Sequence, residues 1–363
     1  MPRYVGLDVH SKASVYAIED EAGQVTGRGA VPTTPEGLRQ LRDQHALPPG
    51  TAVALESGVV SFFVVDVLRE LGLEPVVIDA AEVRAKVSRP RQKSDRRDAE
   101  ALAEGLRLRL YRNIVWIPPV PIRLAREVIS RRRHFVRIKT MEVNAAKRLL
   151  RGWGRTGLTR SLQQASGWTK LLESLKDAPM LAGFVRGHYE LWLATQEQIG
   201  VLDRQLAELT EPYAMEIKRL QTVPGVGRIV AATFLAVIGD ARRFSGAKQV
   251  ASYAGIVPTT FQSGSTDHHG HISRRGSAEL RSMLCEAGQQ ARRLTNPLNP
   301  FFSRLRARRG YRMAVTAVAH RLCRILYAIL RDGTTFDLGK AGVAEGQFQK
   351  VSVRRYRQVT STT

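Results

Sequence analysis

Residues 4–31 read YVGLDVHSKASVYAIEDEAGQVTGRGAV. Three short runs stand out in them, Tyr4 to Val9, Ser14 to Glu19 and Gln24 to Val31, separated by His10-Ser11-Lys12 and by the turn signal Glu21-Ala22-Gly23. Runs of this length between turn residues predict three strands in meander. Outward from them, Pro35 to about His45 reads as a helix, Thr51 to Glu56 as a strand, Ser61 to about Leu71 as a helix and Pro75 to Asp79 as another strand. A meander followed by alternating helices and strands is the order of a ribonuclease-H-like α/β domain, although other mixed folds share parts of it.

Further along, Ala99, Leu102, Ala103 and Leu106 recur at helical spacing, and Ile117-Pro118-Pro119 breaks the chain. Leu124, Val128, Phe135, Ile138, Ala145 and Leu149 then form a sparse apolar stripe on a long basic helix. A second stripe runs Trp192, Thr195, Ile199, Leu202, Leu206, Leu209, Tyr213 with spacings of three and four, an a/d pattern over about three heptads. It fits two antiparallel helices packed within one chain or a coiled-coil arm joining protomers. The soluble flanks Glu197, Asp203 and Glu208 lead to the expectation of a joint between protomers.

The 363 residues carry 56 Lys+Arg against 33 Asp+Glu, a formal charge of +23, with 43% hydrophobic residues, which excludes wholesale disorder. Such a charge points to a polyanion. It is unevenly spread: residues 80–160 carry a net +15 and residues 221–340 a net +12, whereas residues 1–79 carry −5 and residues 161–220 carry −2. Two polyanion-facing regions are expected. Cys285 and Cys323 are the only cysteines, which excludes a disulfide scaffold and a Cys-rich zinc module and fits a reducing compartment. No window reaches the ~18 uncharged apolar residues of a membrane span, and Met1-Pro2-Arg3 runs directly into a strand. A soluble, cytoplasmic protein with no membrane partner is expected.

Four carboxylates carry the chemical reading. Asp8 ends the first strand and Glu56 the fourth, so parallel neighbouring strands bring both to one sheet edge, while Asp95 and Asp98, in Lys93-Ser94-Asp95-Arg96-Arg97-Asp98, share one face of a helix start. Four hard oxygen ligands suit two Mg2+ (or Mn2+) ions about 4 Å apart, the arrangement used for in-line displacement at phosphorus. The plainer alternative is that Ser94 or Asp95 caps the helix with Asp98 answering at its third position. Asp8 resists a plain explanation, because a carboxylate on a buried strand is costly without a partner.

Two further segments draw attention. Val223-Pro224-Gly225-Val226-Gly227 leads into an apolar helix from Ile229 to Ile238 and resembles a helix-hairpin-helix element, in which Gly225 and Gly227 free backbone N–H groups to hold a phosphate. Tyr253-Ala254-Gly255-Ile256-Val257-Pro258, Gln262-Ser263-Gly264-Ser265 and Gly270-His271-Ile272-Ser273-Arg274-Arg275-Gly276 place two serines in a Gly-flanked loop before two arginines. A serine there attacks a phosphodiester once its proton is removed and the phosphate held. His268, His269 and His271 read as a polar loop. Arg96, Arg97, Arg131, Arg132, Arg133, Arg274 and Arg275 are the candidate nucleic-acid contacts beside the two glycines.

Taken together, Gly6-Leu7-Asp8-Val9-His10, Leu55-Glu56-Ser57, Lys93 to Ala99, Val223 to Gly227 and Gln262-Ser263-Gly264 with Gly270 to Ser273 resemble the DEDD transposases of the insertion-sequence family numbered one hundred and ten. That family includes bridge-RNA-guided recombinases and is similar to a pilin-gene invertase. The resemblance implies a RuvC-like catalytic domain at 1–118, a helical coiled-coil region at 119–215, a mainly helical transposase domain at 216–338 with a helix-hairpin-helix-like element, and a basic tail at 339–363. It places Asp8, Glu56, Asp95 and Asp98 on the DEDD positions and Ser263, not Ser265, on the serine nucleophile. Donor and target DNA, a structured guide RNA and a homo-oligomer, dimer or tetramer, are the implied partners, with the two half-sites combined between protomers. The competing readings are a metal-dependent Holliday-junction nuclease, in which Ser263 is incidental, and a non-catalytic nucleic-acid-binding protein.

Overall fold

Alternation along two short strands sets the architecture of the first part of the chain. In β1 (Arg3–Val9), Val5 and Leu7 are fully buried on one face, which leaves Gly6 and Asp8 on the other. The computed structural model describes residues 2–87, 94–155, 157, 162–263, 266–273, 276–340 and 342, with only the backbone of 85–87, 260–263 and 266–270. Contacts divide the chain into two units, Met1–Pro118 and Pro119–Thr363.

In the first unit β1 is followed by β2 (Ala13–Asp20), β3 (Val25–Pro32), α1 (Pro35–Gln44), β4 (Ala52–Glu56), α2 (Ser61–Glu70), β5 (Glu74–Ile78), α3 (Ala80–Val87) and α4 (Asp95–Arg107). The five strands form one sheet in the order β3-β2-β1-β4-β5. The first three pair antiparallel, and β1, β4 and β5 run parallel. Val5, Leu7, Val53, Leu55 and Val77 pack with Leu38 and Leu41 of α1 and Val64 and Leu68 of α2. On the opposite face Ala54 and Ile78 pack with Val83 of α3 and Leu102 of α4.

Gly6 determines how close α4 comes. A Cβ at residue 6 would lie 2.0 Å from the Ala99 carbonyl oxygen and 2.5 Å from the Ala103 nitrogen, so the helix backbone rests directly on the strand. Two ion pairs hold α4 to the outer strands: Arg107 Nε to Glu19 Oε2 at 2.8 Å and Arg28 Nε to Glu100 Oε1 at 2.8 Å. The first is largely buried, and removing either partner would strand a charge in the interior.

The second unit contains α5 (Val120–Gly152), α6 (Ala165–Glu173), α7 (Pro179–Leu209), α8 (Ala214–Gln221), α9 (Arg228–Ile238), α10 (Ala247–Tyr253), β6 (Pro258–Ser263), β7 (Thr266–Ile272), α11 (Ala278–Gln289), α12 (Asn299–Arg309) and α13 (Tyr311–Asp332). The chain is thus α/β in its first third and mainly helical beyond it, with one two-stranded sheet, β6-β7. That hairpin departs from the expected loop, and His268, His269 and His271 lie on β7. Its sequence, PTTFQS and TDHHGHI, has few apolar residues and no regular alternation of them, so no apolar periodicity marked it. α9 is buried from Val230 to Ile238. α13 is long and apolar enough to cross a membrane by length and composition, yet Ala314, Val318, Leu322, Leu326 and Tyr327 are core residues of this unit.

The heptad stripe is covered within the chain. Trp192, Thr195, Ile199, Leu202 and Leu206 are buried within the chain, where α7 lies antiparallel to α5. Arg132 pairs with Asp203 at 2.5 Å, Lys139 with Gln196 at 3.0 Å and Glu142 with His188 at 2.7 Å, a ladder that matches ascending positions on one helix to descending ones on the other. The facing helix is α5 of the same chain, through its buried Val143, Ala146 and Leu150, which are not residues of the expected Leu124 to Leu149 stripe, whose Leu124 is exposed.

Gly6→Val puts branched carbon into backbone atoms that cannot yield, so the first unit is expected to lose about 3 kcal/mol or more in denaturant unfolding. Gly58→Ala, where nothing lies within 4 Å of the added carbon, is the control and should leave the midpoint nearly unchanged.

Candidate functional site

The close approach of α4 to β1 assembles the carboxylates. β1 and β4 pair in parallel with Leu7 opposite Leu55, so Asp8 and Glu56 are each one residue further along. Both follow the face of Gly6 and Ala54, the face on which α4 lies. Asp95 and Asp98 occupy the first turn of α4, one turn before the Ala99 to Ala103 stretch that rests on Gly6. Ser94 is the N-cap, accepting a hydrogen bond from the Arg97 amide at 3.4 Å. The serine therefore performs the capping, the third helical position falls on Arg97, and neither aspartate is used as a cap. Their negative charge is favourable at this helix end.

His10 stands between the acids, a residue whose role sequence reasoning missed. Its Nε2 is 3.2 Å from Asp8 Oδ2 and 3.6 Å from Asp95 Oδ2. Asp8, His10 and Asp95 each present a ligand atom within 4.8 Å of the others. The signal lay in Asp8-Val9-His10, because a spacing of two keeps both side chains on one side of an extended chain. Asp8 is the least exposed of the three, its side chain 16% exposed against 53% for His10 and 58% for Asp95. Burial pushes its carboxyl above the usual range, His10 opposes this, and the charges of Asp98 and Asp95 push it further up. Glu56 is half-buried at the neighbouring strand end and lies outside the triad of Asp8, His10 and Asp95.

In the second unit, Ser263 is the last residue of β6 and pairs with Thr266 of β7. Gly264, Ser265, Arg274 and Arg275 lie outside the described residues. Gly225, with φ +94, is set against α11, where a Cβ would meet the Ala287 carbonyl oxygen at 3.2 Å. Packing accounts for that glycine. Gly227 is exposed and caps α9 without a side-chain hydrogen bond.

The arginines divide into two groups. Arg132 pairs with Asp203 and Arg133 with Glu279 of α11, both inside the second unit, while Arg131 is exposed. Arg96 pairs with Glu100 along α4, and Arg97 is exposed. The stretch 287–331, by contrast, holds ten Arg and no Asp or Glu. Arg304, Arg306, Arg308, Arg309 and Arg312 are exposed where α12 turns into α13. Burial lowers the Arg321 pKa first, and the like charges of Arg304 and Arg324 lower it further. Arg304 and Arg321 also sit over the Phe301 ring, at 5.9 Å and 4.8 Å.

Comparison with known proteins finds transposases. Residues 5–153 match the DEDD model described as a transposase, and residues 217–303 match the model described as the IS116/IS110/IS902 family of transposases. A probable family 20 transposase of Pseudomonas aeruginosa is 28% identical over 83% of this chain and 90% of its own. The transposase of insertion sequence element IS1111A from Coxiella burnetii is 25% identical over 74% of each chain. A pilin gene-inverting protein of Moraxella lacunata is 32% identical over 39% of this chain and 46% of its own. Carboxylate-bearing sheet and matches together define a DNA transposase or recombinase of the DEDD class. The chain belongs to the IS110 family.

The raised pKa of Asp8 has a measurable effect on stability. A carboxyl whose folded pKa lies above its unfolded one disfavours folding when ionised; the cost is complete above the folded pKa and vanishes below the ordinary 3.8. In metal-free buffer Asp8→Asn is expected to melt above the parent at neutral pH, with the difference shrinking as pH falls through the raised pKa toward 3.8. Equal melting at every pH would contradict it.

Proposed function

We propose that the first unit is a RuvC-like nuclease-type domain in which Asp8, Glu56, Asp95 and Asp98 bind divalent metal, Mg2+ or Mn2+. One observation carries the reading: a glycine-enabled contact brings the acidic first turn of α4 over the strand end that bears Asp8, whose carboxyl burial pushes above the usual range. The strand order, with an antiparallel meander continued by parallel strands, supports it. All-oxygen donors of this kind suit hard cations. Bound there, a divalent cation would supply positive charge beside the phosphate oxygens.

Ser263 is the proposed nucleophile of the recombination. Its hydroxyl oxygen bonds to a DNA phosphorus as the proton passes to a base, and the bond to the departing strand breaks to leave a hydroxyl end. The phosphoserine diester conserves the bond energy, so the strand is rejoined to a new partner without ATP. Arg274 and Arg275 follow β7 in sequence and are the proposed stabilisers of the developing phosphate charge. DNA is the substrate, a structured bridge RNA the proposed guide, and a homo-oligomer the working form.

The exposed arginines of α12 and α13 are the principal proposed phosphate contacts, with Arg97, Arg131 and the Gly227 end of α9 as further ones. Arg132 and Arg133 already have carboxylate partners, which assigns them first to holding α5 against α7 and α11.

Two measurements test this reading. Reaction on a labelled nicked substrate followed by peptide mapping should find the adduct on Ser263, absent in Ser263→Ala and retained in Ser265→Ala. Robust recombination by Ser263→Ala, or full activity of Asp8→Ala, would end it. Separately, neutralising Arg306, Arg308, Arg309 and Arg312 with Gln should flatten the dependence of log affinity on log salt by about 0.9 per lost phosphate contact on duplex DNA. Replacing Arg132 and Arg133 should instead lower stability with little change in that slope.

A further inference from the structure

We infer that His10 is itself a ligand of the cation at the carboxylate site and that its imidazole makes the site favour Mn2+ over Mg2+. The inference rests on the metal-site reading above and adds to the four acids a nitrogen donor from the same sheet edge.

The spacing of donor atoms is the first support. His10 Nε2 lies 3.2 Å from Asp8 Oδ2 and 3.6 Å from Asp95 Oδ2. Neighbouring ligands of an octahedral ion bound at about 2.1 Å lie about 3.0 Å apart. The two distances from the ring nitrogen are therefore already near the edge length of a coordination shell, and all three donor atoms lie within 4.8 Å of one another, so a cation that draws in Asp8 and Asp95 has the ring nitrogen beside it.

The second support is the backbone that carries the ring. The His10 amide donates to the Ala13 carbonyl at 3.2 Å, and the His10 carbonyl accepts from Thr33 Oγ1 at 2.7 Å. Thr33 Oγ1 is in turn 2.8 Å from the buried Ser14 Oγ. Cation binding thus reorients a ring on a fixed base, with little ordering of the chain still to be done. A loosely tethered surface histidine would lack this anchorage.

Chemistry then sets the preference. Mg2+ takes oxygen donors and holds its waters tightly, whereas imidazole suits the later first-row ions, with Mn2+ weakest of that series but still above Mg2+ toward nitrogen. A site of carboxylates alone would discriminate little between the two. One nitrogen among the oxygens tilts it toward Mn2+.

The test uses the full-length protein and Mn2+ alone, in mildly alkaline buffer. Pulsed electron paramagnetic resonance of bound Mn2+ should show nitrogen modulation in the parent that disappears in His10→Ala and in His10→Gln, with thermal melting to verify that both variants fold. Calorimetry should show Mn2+ affinity falling at least about tenfold in His10→Ala, with Mg2+ affinity unchanged or higher. Mn2+ bound by the parent without nitrogen modulation, or modulation that survives both substitutions, overturns the role of His10 and leaves the carboxylate site standing. Failure of the parent to bind Mn2+ in a manner lost in Asp8→Ala overturns both.

Discussion

The absence of a side chain at residue 6 governs the chemistry of the first unit. Any carbon there would drive the backbone of α4 off the sheet, and the helix would carry Asp95 and Asp98 away from Asp8. The other restraints on α4 act at its far end or flank, through Arg107 with Glu19 and Arg28 with Glu100. They fix the direction of the helix, while Gly6 fixes its height. Carboxylates brought this close repel one another, and the raised pKa of Asp8 records that cost together with its burial. Tight backbone packing offsets the repulsion that this arrangement carries.

Charge is divided between structure and surface in the second unit. Within α5, adjacent arginines have different neighbours: Arg132 and Arg133 reach carboxylates on α7 and α11, whereas Arg131 is exposed. At the α12–α13 corner the supply of acids stops altogether, and the cations crowd one another. A protein whose function were served by net charge alone would not need both patterns. Paired arginines orient helices, and the exposed ones leave a positive field at the surface.

Much of the first unit was legible because its signals are local. The runs around Tyr4 to Val9 and Thr51 to Glu56 alternate or stay apolar over lengths typical of strands, and the observed β1 and β4 differ from them by a residue at an end. Sheet-edge placement of Asp8 and Glu56 followed from parallel pairing. The role of Gly6 was not legible, since the chain does not announce which helix will lie over a given strand. His10 was quoted in a motif and passed over, because its neighbour Asp95 is brought to it only by that packing. The β6-β7 hairpin escaped notice for want of apolar periodicity, and a heptad pattern alone does not say that α5 of the same chain faces the α7 stripe. The acid-free arginine stretch was visible as composition, but only the exposed positions at a helix corner separate it from an ordinary basic block.

The capping of α4 by Ser94 leads to a point about evolvability. With its first turn closed by its own serine and its body fixed to β1, β2 and β3, α4 depends little on the chain that leads into it from α3. Variation ahead of Ser94 therefore reaches Asp95 and Asp98 only through that cap, so a lineage can change its sequence there while the acids stay at the sheet end.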